Sequence, residues 1–152
     1  MKFPVENRKD WESIKARLDP STPGRYPKNW DKLVKALKNR DYPLCITYGG
    51  FWWTPRDLMG TPNLCKALYV NPELVLDIND HWCYFVTEVT RKALEDIDYD
   101  WACIYEDMAY KGHAMMSPAQ FRKFMLPFYK KLTKFLREHG VDVVIVDSDG
   151  YM

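Results

Sequence analysis

The sequence lacks the features that mark several large classes of protein. It has almost no net charge, because 22 basic and 21 acidic residues give a formal charge of +1 at pH 7, with both signs interspersed. That balance gives no support to nucleic acid or an anionic membrane as a partner. No apolar run approaches the roughly 20 residues that cross a bilayer. The first ten residues hold acid early and no apolar core segment, so we expect no signal peptide.

The four cysteines form no closely spaced pair. They stand far apart within apolar segments, at positions Cys45, Cys65, Cys83 and Cys103. We therefore expect buried, reduced thiols in a cytoplasmic protein and no metal site.

What the sequence does contain is an ordinary globular composition with many aromatic residues. Hydrophobic residues make up 47% and charged residues 28% of the 152 positions, which fits one core of normal size. The aromatic content of 15% fits either a thick core or a pocket for a flat, apolar ligand.

Residues 1–42 are predicted to be a helical arm and loop, with a helix over Asp10–Leu18 and another beginning at Asn29 or Asp31.

Residues 43–152 combine strand and helix signals. Three short apolar runs, at 44–48, 101–105 and 141–146, are predicted strands. Predicted helix starts pair a capping residue with proline, at Thr54-Pro55, Thr61-Pro62, Asn71-Pro72 and Ser117-Pro118. At the last start Gln120 completes a capping box. Pro127 predicts a kink or two helices in tandem, and Gly140 is expected to cap the last helix.

Strands that alternate with helices predict an α/β fold with a parallel sheet. Three parallel strands leave open edges, and the apolar helix faces exceed what three strands can cover. We therefore expect part of a larger α/β barrel, completed either by a second copy in a homodimer or by a missing barrel half. In such folds ligands bind at the carboxyl ends of the strands.

Acidic side chains follow two of the predicted strands. These candidate catalytic residues are Glu106, Asp107, Asp147 and Asp149. Neighbouring strands lie about 4.8 Å apart, so four carboxyl groups would gather at one rim. Repulsion there would raise at least one pKa and suit a general acid, or the group would hold a cation or N–H donors. The alternative is that these carboxylates cap helix amino termini and pair with Arg56, Lys111 or Arg122.

Other side chains near the strand ends are candidates for ligand binding. They are Trp52, Trp53, Arg56, Tyr110 and His113. The two tryptophans stack on a flat ligand, or one of them packs in the core. Arg56 offers a bidentate match for a carboxylate, or pairs with Asp57. For His113 the alternative is a solvated loop histidine.

Longer segments resemble a known family. Tyr105-Glu-Asp-Met-Ala-Tyr-Lys-Gly112 and Met116-Ser-Pro-Ala-Gln-Phe-Arg-Lys-Phe-Met-Leu-Pro-Phe-Tyr-Lys-Lys-Leu132 resemble the middle of the uroporphyrinogen decarboxylase (URO-D) superfamily. Residues 44–54 and 139–150 resemble the preceding and following strands of that superfamily, which also holds corrinoid-linked and coenzyme M methyltransferases. The resemblance covers residues 40–150 and implies a (β/α)8 TIM barrel of about 250 residues or more, of which this chain supplies the middle.

The resemblance implies a carboxy-lyase of porphyrin biosynthesis, which decarboxylates a tetrapyrrole without a cofactor. The alternatives are a methyltransferase relative with a corrinoid-linked substrate, and a non-catalytic binding or scaffold piece. The arginine-glycine-arginine segment of the decarboxylases has no clear counterpart here. The His-x-Cys pair of the zinc-dependent methyltransferases is replaced by Asp147-Ser148-Asp149, so a thiolate zinc site is not expected. We expect a fragment that is inactive alone.

Overall fold

A computed structural model describes residues 2–150. Its elements are α1 (Arg8–Lys15), α2 (Trp30–Lys38), β1 (Cys45–Gly49), α3 (Trp53–Met59), α4 (Thr61–Val70), α5 (Pro72–Asp96), β2 (Trp101–Tyr105), α6 (Pro118–Phe124), α7 (Leu126–Glu138) and β3 (Val144–Asp147). Helices alternate with strands in the predicted order.

The three strands form one parallel sheet in the order β1-β2-β3. Gly49 at the end of β1 lies opposite Tyr105, and Tyr105 lies opposite Asp147 at the end of β3. All three carboxyl ends therefore meet at the same edge of the sheet. The parallel α/β sheet is confirmed and is consistent with part of a TIM barrel.

Helices cover one face of this sheet. Side chains alternate between the faces of a strand, and Ile46, Ala102 and Ile104 on one face are at most 8% exposed within the helix-packed core. On the other face Tyr105 is 42% and Ile145 47% exposed. Within residues 2–150, β1 and β3 each have a neighbouring strand on one side only. The uncovered face is the one that a closed barrel would turn inward.

The amino-terminal arm packs along α5. Trp11 is fully buried and its indole N–H donates to Asp77 at 2.8 Å, and Lys15 Nζ lies 2.8 Å from the same carboxylate. The indole N–H of Trp30 donates to Asp96 at 2.6 Å. Val5 and Trp11 of the arm belong to the same core cluster as the rest of the chain. The predicted boundary between 1–42 and 43–152 stays a prediction.

Two predicted boundaries were wrong by several residues. The first helix spans Arg8–Lys15 rather than Asp10–Leu18. The third strand begins at Val144 rather than Val141, because Val141 completes the end of α7. Gly140 has φ +83°, its N–H donates to Arg137, and the Val141 N–H donates to the Leu136 carbonyl at 3.0 Å. This is a Schellman motif, so the predicted glycine cap is confirmed.

The proline start signals had mixed outcomes. Ser117 caps α6 in a complete capping box, as predicted. Pro127 lies in the first turn of α7, which follows α6 in tandem after Met125. The start predicted at Thr54-Pro55 was wrong: α3 begins at Trp53, so both residues lie within its first turn. The amide groups at its start are capped by the side chain of Glu106, which follows β2.

Candidate functional site

The ends of the three strands and the loops that follow them form one continuous edge. We call it the strand-end rim and define it as residues 50–56, 106–113 and 147–150. Backbone bonds join its parts: the Gly50 N–H donates to Tyr105, and the Glu106 N–H donates to Asp147, each at 2.8 Å. The sequence prediction that the strand ends lie together is confirmed by the sheet register.

Glu106 follows β2 and is fully buried. The alternation of β2 continues through it, so its side chain faces the helices rather than the open face. Its carboxylate accepts hydrogen bonds from three successive backbone N–H groups at the start of α3: Phe51 at 2.6 Å, Trp52 at 2.8 Å and Trp53 at 2.9 Å. A helix amino terminus leaves such groups without intrahelical partners and favours a negative charge beside them.

The hydroxyl of Tyr129 in α7 also donates to Glu106. Burial raises the pKa of the Glu106 carboxyl, while these four hydrogen bonds act in the opposite direction. Burial and the carboxylate beside it raise the pKa of the Tyr129 hydroxyl. The cause at Glu106 is therefore desolvation and not the repulsion among four carboxylates expected from the sequence. Asp147 lies opposite Tyr105 on the open face of the sheet, away from Glu106.

Asp107 is the neighbour of Glu106, yet it lies at the accessible side of the rim. Its backbone has φ +68°, a left-handed conformation that is uncommon outside glycine. Its carboxylate accepts from Arg56 Nη1 at 2.8 Å. The same guanidinium lies 3.6 Å from Asp57 and 4.3 Å above the ring of Trp53. A ligand carboxylate would therefore compete with Asp107 for Arg56.

Tyr110 and His113 lie on a short loop between Ala109 and Ala114, which form an isolated β-bridge. The Tyr110 N–H donates to the His113 carbonyl at 3.0 Å, and the two exposed rings meet edge to face at 6.1 Å. The residue just before this bridge contacts the loop after β3, because the Met108 N–H donates to the Ser148 hydroxyl at 3.1 Å.

The structure brings most of the predicted site residues to the rim. Those accessible there are Trp53, Arg56, Asp107, Tyr110, His113, Asp147 and Asp149. Glu106 and Trp52 are instead buried, and Trp52 is only 1% exposed in the core. In this structure a ligand cannot contact either side chain. The catalytic and binding roles of all these residues stay predictions.

Three residues that the sequence reading missed complete the surroundings of Glu106. They are Gly50, Asn79 and Tyr129. Asn79 Nδ2 donates to the carbonyl groups of Phe51 at 2.9 Å and Phe124 at 3.0 Å, and the residue is fully buried. The available signal was an asparagine next to Ile78 on the apolar side of a long helix, where an amide needs partners.

Two features are absent from residues 2–150. None of the helices within residues 2–150 combines the length and apolar character needed to cross a membrane. The same part of the chain holds no group of three or more histidine, cysteine, aspartate or glutamate side chains placed to bind a metal ion.

Comparison with known proteins gives the family. The family model described as Uroporphyrinogen decarboxylase (URO-D) matches residues 2–146. The chain belongs to the uroporphyrinogen decarboxylase family. The resemblance noted in residues 40–150 is thereby confirmed, and the match also includes the amino-terminal arm. No curated protein matches the chain. In this uroporphyrinogen decarboxylase family member, acidic, aromatic and basic side chains share the strand-end rim, where parallel α/β folds bind ligands.

Proposed function

We propose that this chain binds a tetrapyrrole at the strand-end rim and contributes that rim to a decarboxylase site of the uroporphyrinogen decarboxylase type. The observation that carries the proposal is the parallel sheet of a member of this family, whose three carboxyl ends meet at one edge. The accessible side chains at that edge suit a flat ligand with both N–H donors and carboxylates.

Each part of such a ligand has a matching group. Decarboxylation proceeds by protonation of a pyrrole ring and loss of carbon dioxide from the resulting cation. Asp107 and Asp149 offer carboxylates to pyrrole N–H groups and to the developing positive charge. Trp53 and Tyr110 offer aromatic faces to the ring system. Arg56 offers a guanidinium to a substrate carboxylate, in exchange for Asp107.

We also propose that the 152-residue chain has no decarboxylase activity alone. Binding pockets for small molecules are concave and bury most of the ligand surface. Here the sheet face opposite the helices exposes Tyr105 and Ile145, and within residues 2–150 neither edge strand is paired on its outer side. Further strands, from a longer chain or from a second copy, would supply the missing wall.

The test uses the 152-residue chain with two substrates. Binding of uroporphyrinogen is measured under anaerobic conditions by quenching of tryptophan fluorescence, and products are separated by chromatography. A parallel reaction contains methylcobalamin and a thiol acceptor. The proposal predicts saturable binding of uroporphyrinogen, no decarboxylated product and no methyl transfer.

Matched variants locate the binding surface. Asp149→Asn at the rim is expected to weaken the affinity about tenfold, which corresponds to 1.4 kcal/mol. Asp142→Asn, before β3 at the opposite end of that strand, is expected to leave the affinity unchanged. Absence of binding, or equal effects of both variants, would contradict the site. Decarboxylation by the isolated chain would contradict the proposed inactivity.

A further inference from the structure

We propose that Glu106 is a positioning residue for the strand-end rim. From the helix-covered side of the sheet it fixes the turn at residues 51–53, which leads into α3 with Trp53 and Arg56, and it thereby sets the ligand-binding geometry of the rim. The binding of a ligand at the rim rests on the proposed function. The fixing of the turn rests on the contacts of the buried carboxylate alone.

The carboxylate uses both oxygen atoms fully. Oε1 accepts from the Phe51 N–H and the Tyr129 hydroxyl, and Oε2 accepts from the N–H groups of Trp52 and Trp53. Three successive peptide groups are thus tied to one side chain. A buried carboxylate with four donors has little freedom to move, because any displacement leaves a charge or an N–H group without a partner.

The turn is also held through its carbonyl side. The Asn79 side-chain NH2 group donates one N–H to the Phe51 carbonyl and the other N–H to the Phe124 carbonyl. Phe51 is therefore bound at its N–H by Glu106 and at its carbonyl by Asn79. The ring of Phe51 packs against Tyr129 with centroids 5.2 Å apart. These contacts connect the turn to the junction between α6 and α7.

The Glu106 carboxylate leaves no space for a side chain at position 50. A Cβ atom added to Gly50 would lie 2.6 Å from Oε2 of Glu106 and closer still to Oε1 and Cδ. Gly50 does not have a positive φ, so the requirement for glycine is one of space. The carboxylate occupies the volume that a side chain at position 50 would need.

The buried contacts lead directly to the accessible ones. Trp53 donates its N–H to Glu106, while its ring lies 4.3 Å below the guanidinium of Arg56. Arg56 in turn donates to Asp107, the residue next to Glu106. Two adjacent acidic residues therefore hold the same segment, Glu106 through the backbone and Asp107 through a side chain. If Glu106 releases the turn, Trp53 and Arg56 lose their fixed positions at the rim.

The experiment compares two variants with matched controls. Glu106→Gln replaces one acceptor oxygen with an NH2 donor that faces N–H groups. Tyr129→Phe removes only the fourth hydrogen bond to Glu106. This second variant keeps the test available if Glu106→Gln fails to fold. Glu138→Gln and Tyr69→Phe make the same changes at exposed positions. Amide hydrogen exchange is measured by NMR, and affinity for the stable porphyrin uroporphyrin is measured at a temperature where every variant is fully folded.

The proposal predicts a local effect. The amides of Phe51, Trp52 and Trp53 exchange about tenfold faster or more in Glu106→Gln, as expected for the loss of a hydrogen bond to a charged group, while the amides of β2 change little. Because each variant is fully folded during the binding measurement, lost global stability alone would not change the affinity. The affinity is expected to fall about tenfold in Glu106→Gln, less in Tyr129→Phe, and not at all in the controls.

The hydrogen-exchange measurement and the affinity measurement test different parts of the proposal. Equal acceleration of exchange across the turn and β2 would show a purely structural role and overturn the proposal. Local acceleration with unchanged affinity would overturn the link to the rim. If the unchanged chain does not bind uroporphyrin at all, the proposed function fails, and the exchange measurement still decides whether Glu106 fixes the turn.

Discussion

Gly50→Ala is the substitution that tests the packing around Glu106 most severely. The added Cβ would overlap the buried carboxylate, with only 2.6 Å to Oε2. The carboxylate must then move and give up hydrogen bonds, each of which is worth about 1.5–3 kcal/mol when one partner is charged. Since these contributions are not additive, we expect a loss of about 3–5 kcal/mol in the free energy of unfolding. That is a large part of the total free energy of unfolding of a typical domain, which is about 5–15 kcal/mol.

The assay is urea unfolding followed by tryptophan fluorescence. Gly112→Ala is the matched control, because an added Cβ there meets only Tyr110, at an ordinary 3.7 Å. A double-mutant cycle makes the cause specific. In a Glu106→Ala background the overlap is gone, so Gly50→Ala should cost less by about 2 kcal/mol or more. The reasoning is refuted if Gly50→Ala costs no more than Gly112→Ala, or if its cost is the same in both backgrounds.

Three further predictions concern other parts of the fold. Ser117→Ala removes the capping box of α6 and should lower the free energy of unfolding by about 1 kcal/mol; an unchanged urea midpoint would contradict it. Burial acts to raise the pKa of Asp77, but hydrogen bonds from Lys15 and Trp11 outweigh it and the pKa is lowered. The stability from Asp77 is therefore present above about pH 4 and lost as the pH falls through the folded pKa. Asp77→Asn should flatten the dependence of Tm on pH there, and an unchanged slope would refute this. Burial raises the pKa of Cys83 to about 11, so iodoacetamide at pH 8 should label it only after unfolding; labelling at equal rates in the folded and unfolded chains would contradict this.

The features that could be predicted from the sequence are those that depend on neighbouring residues. Ser117 and Gln120 lie three positions apart and complete each other's hydrogen bonds, so the capping box needs no tertiary information. Gly140 ends α7 through bonds to Arg137 and Leu136 within the same turn. The parallel sheet followed from the alternation of strands and helices.

The features that could not be predicted depend on contacts between distant residues. The start of α3 was misplaced at Thr54 because its capping acceptor is Glu106, 55 residues after Phe51. Glu106 and Asp107 have the same chemistry in sequence, and only the register of β2 against the helices turns one inward and the other to the rim. Trp52 and Trp53 are also identical side chains in adjacent positions, and only their placement at the start of α3 puts Trp52 in the core and leaves Trp53 partly exposed.

The measurement that tests the central claim most directly is a titration of the isotopically labelled chain with uroporphyrin, followed by amide chemical shifts. The claim is that the ligand binds where the three strands end. We predict shift changes confined to the rim, including Trp53, Asp107 and Asp149, with none at Leu44 or Asp100 before the strands begin. Changes centred on that opposite edge, or no changes at saturating uroporphyrin, would contradict the account.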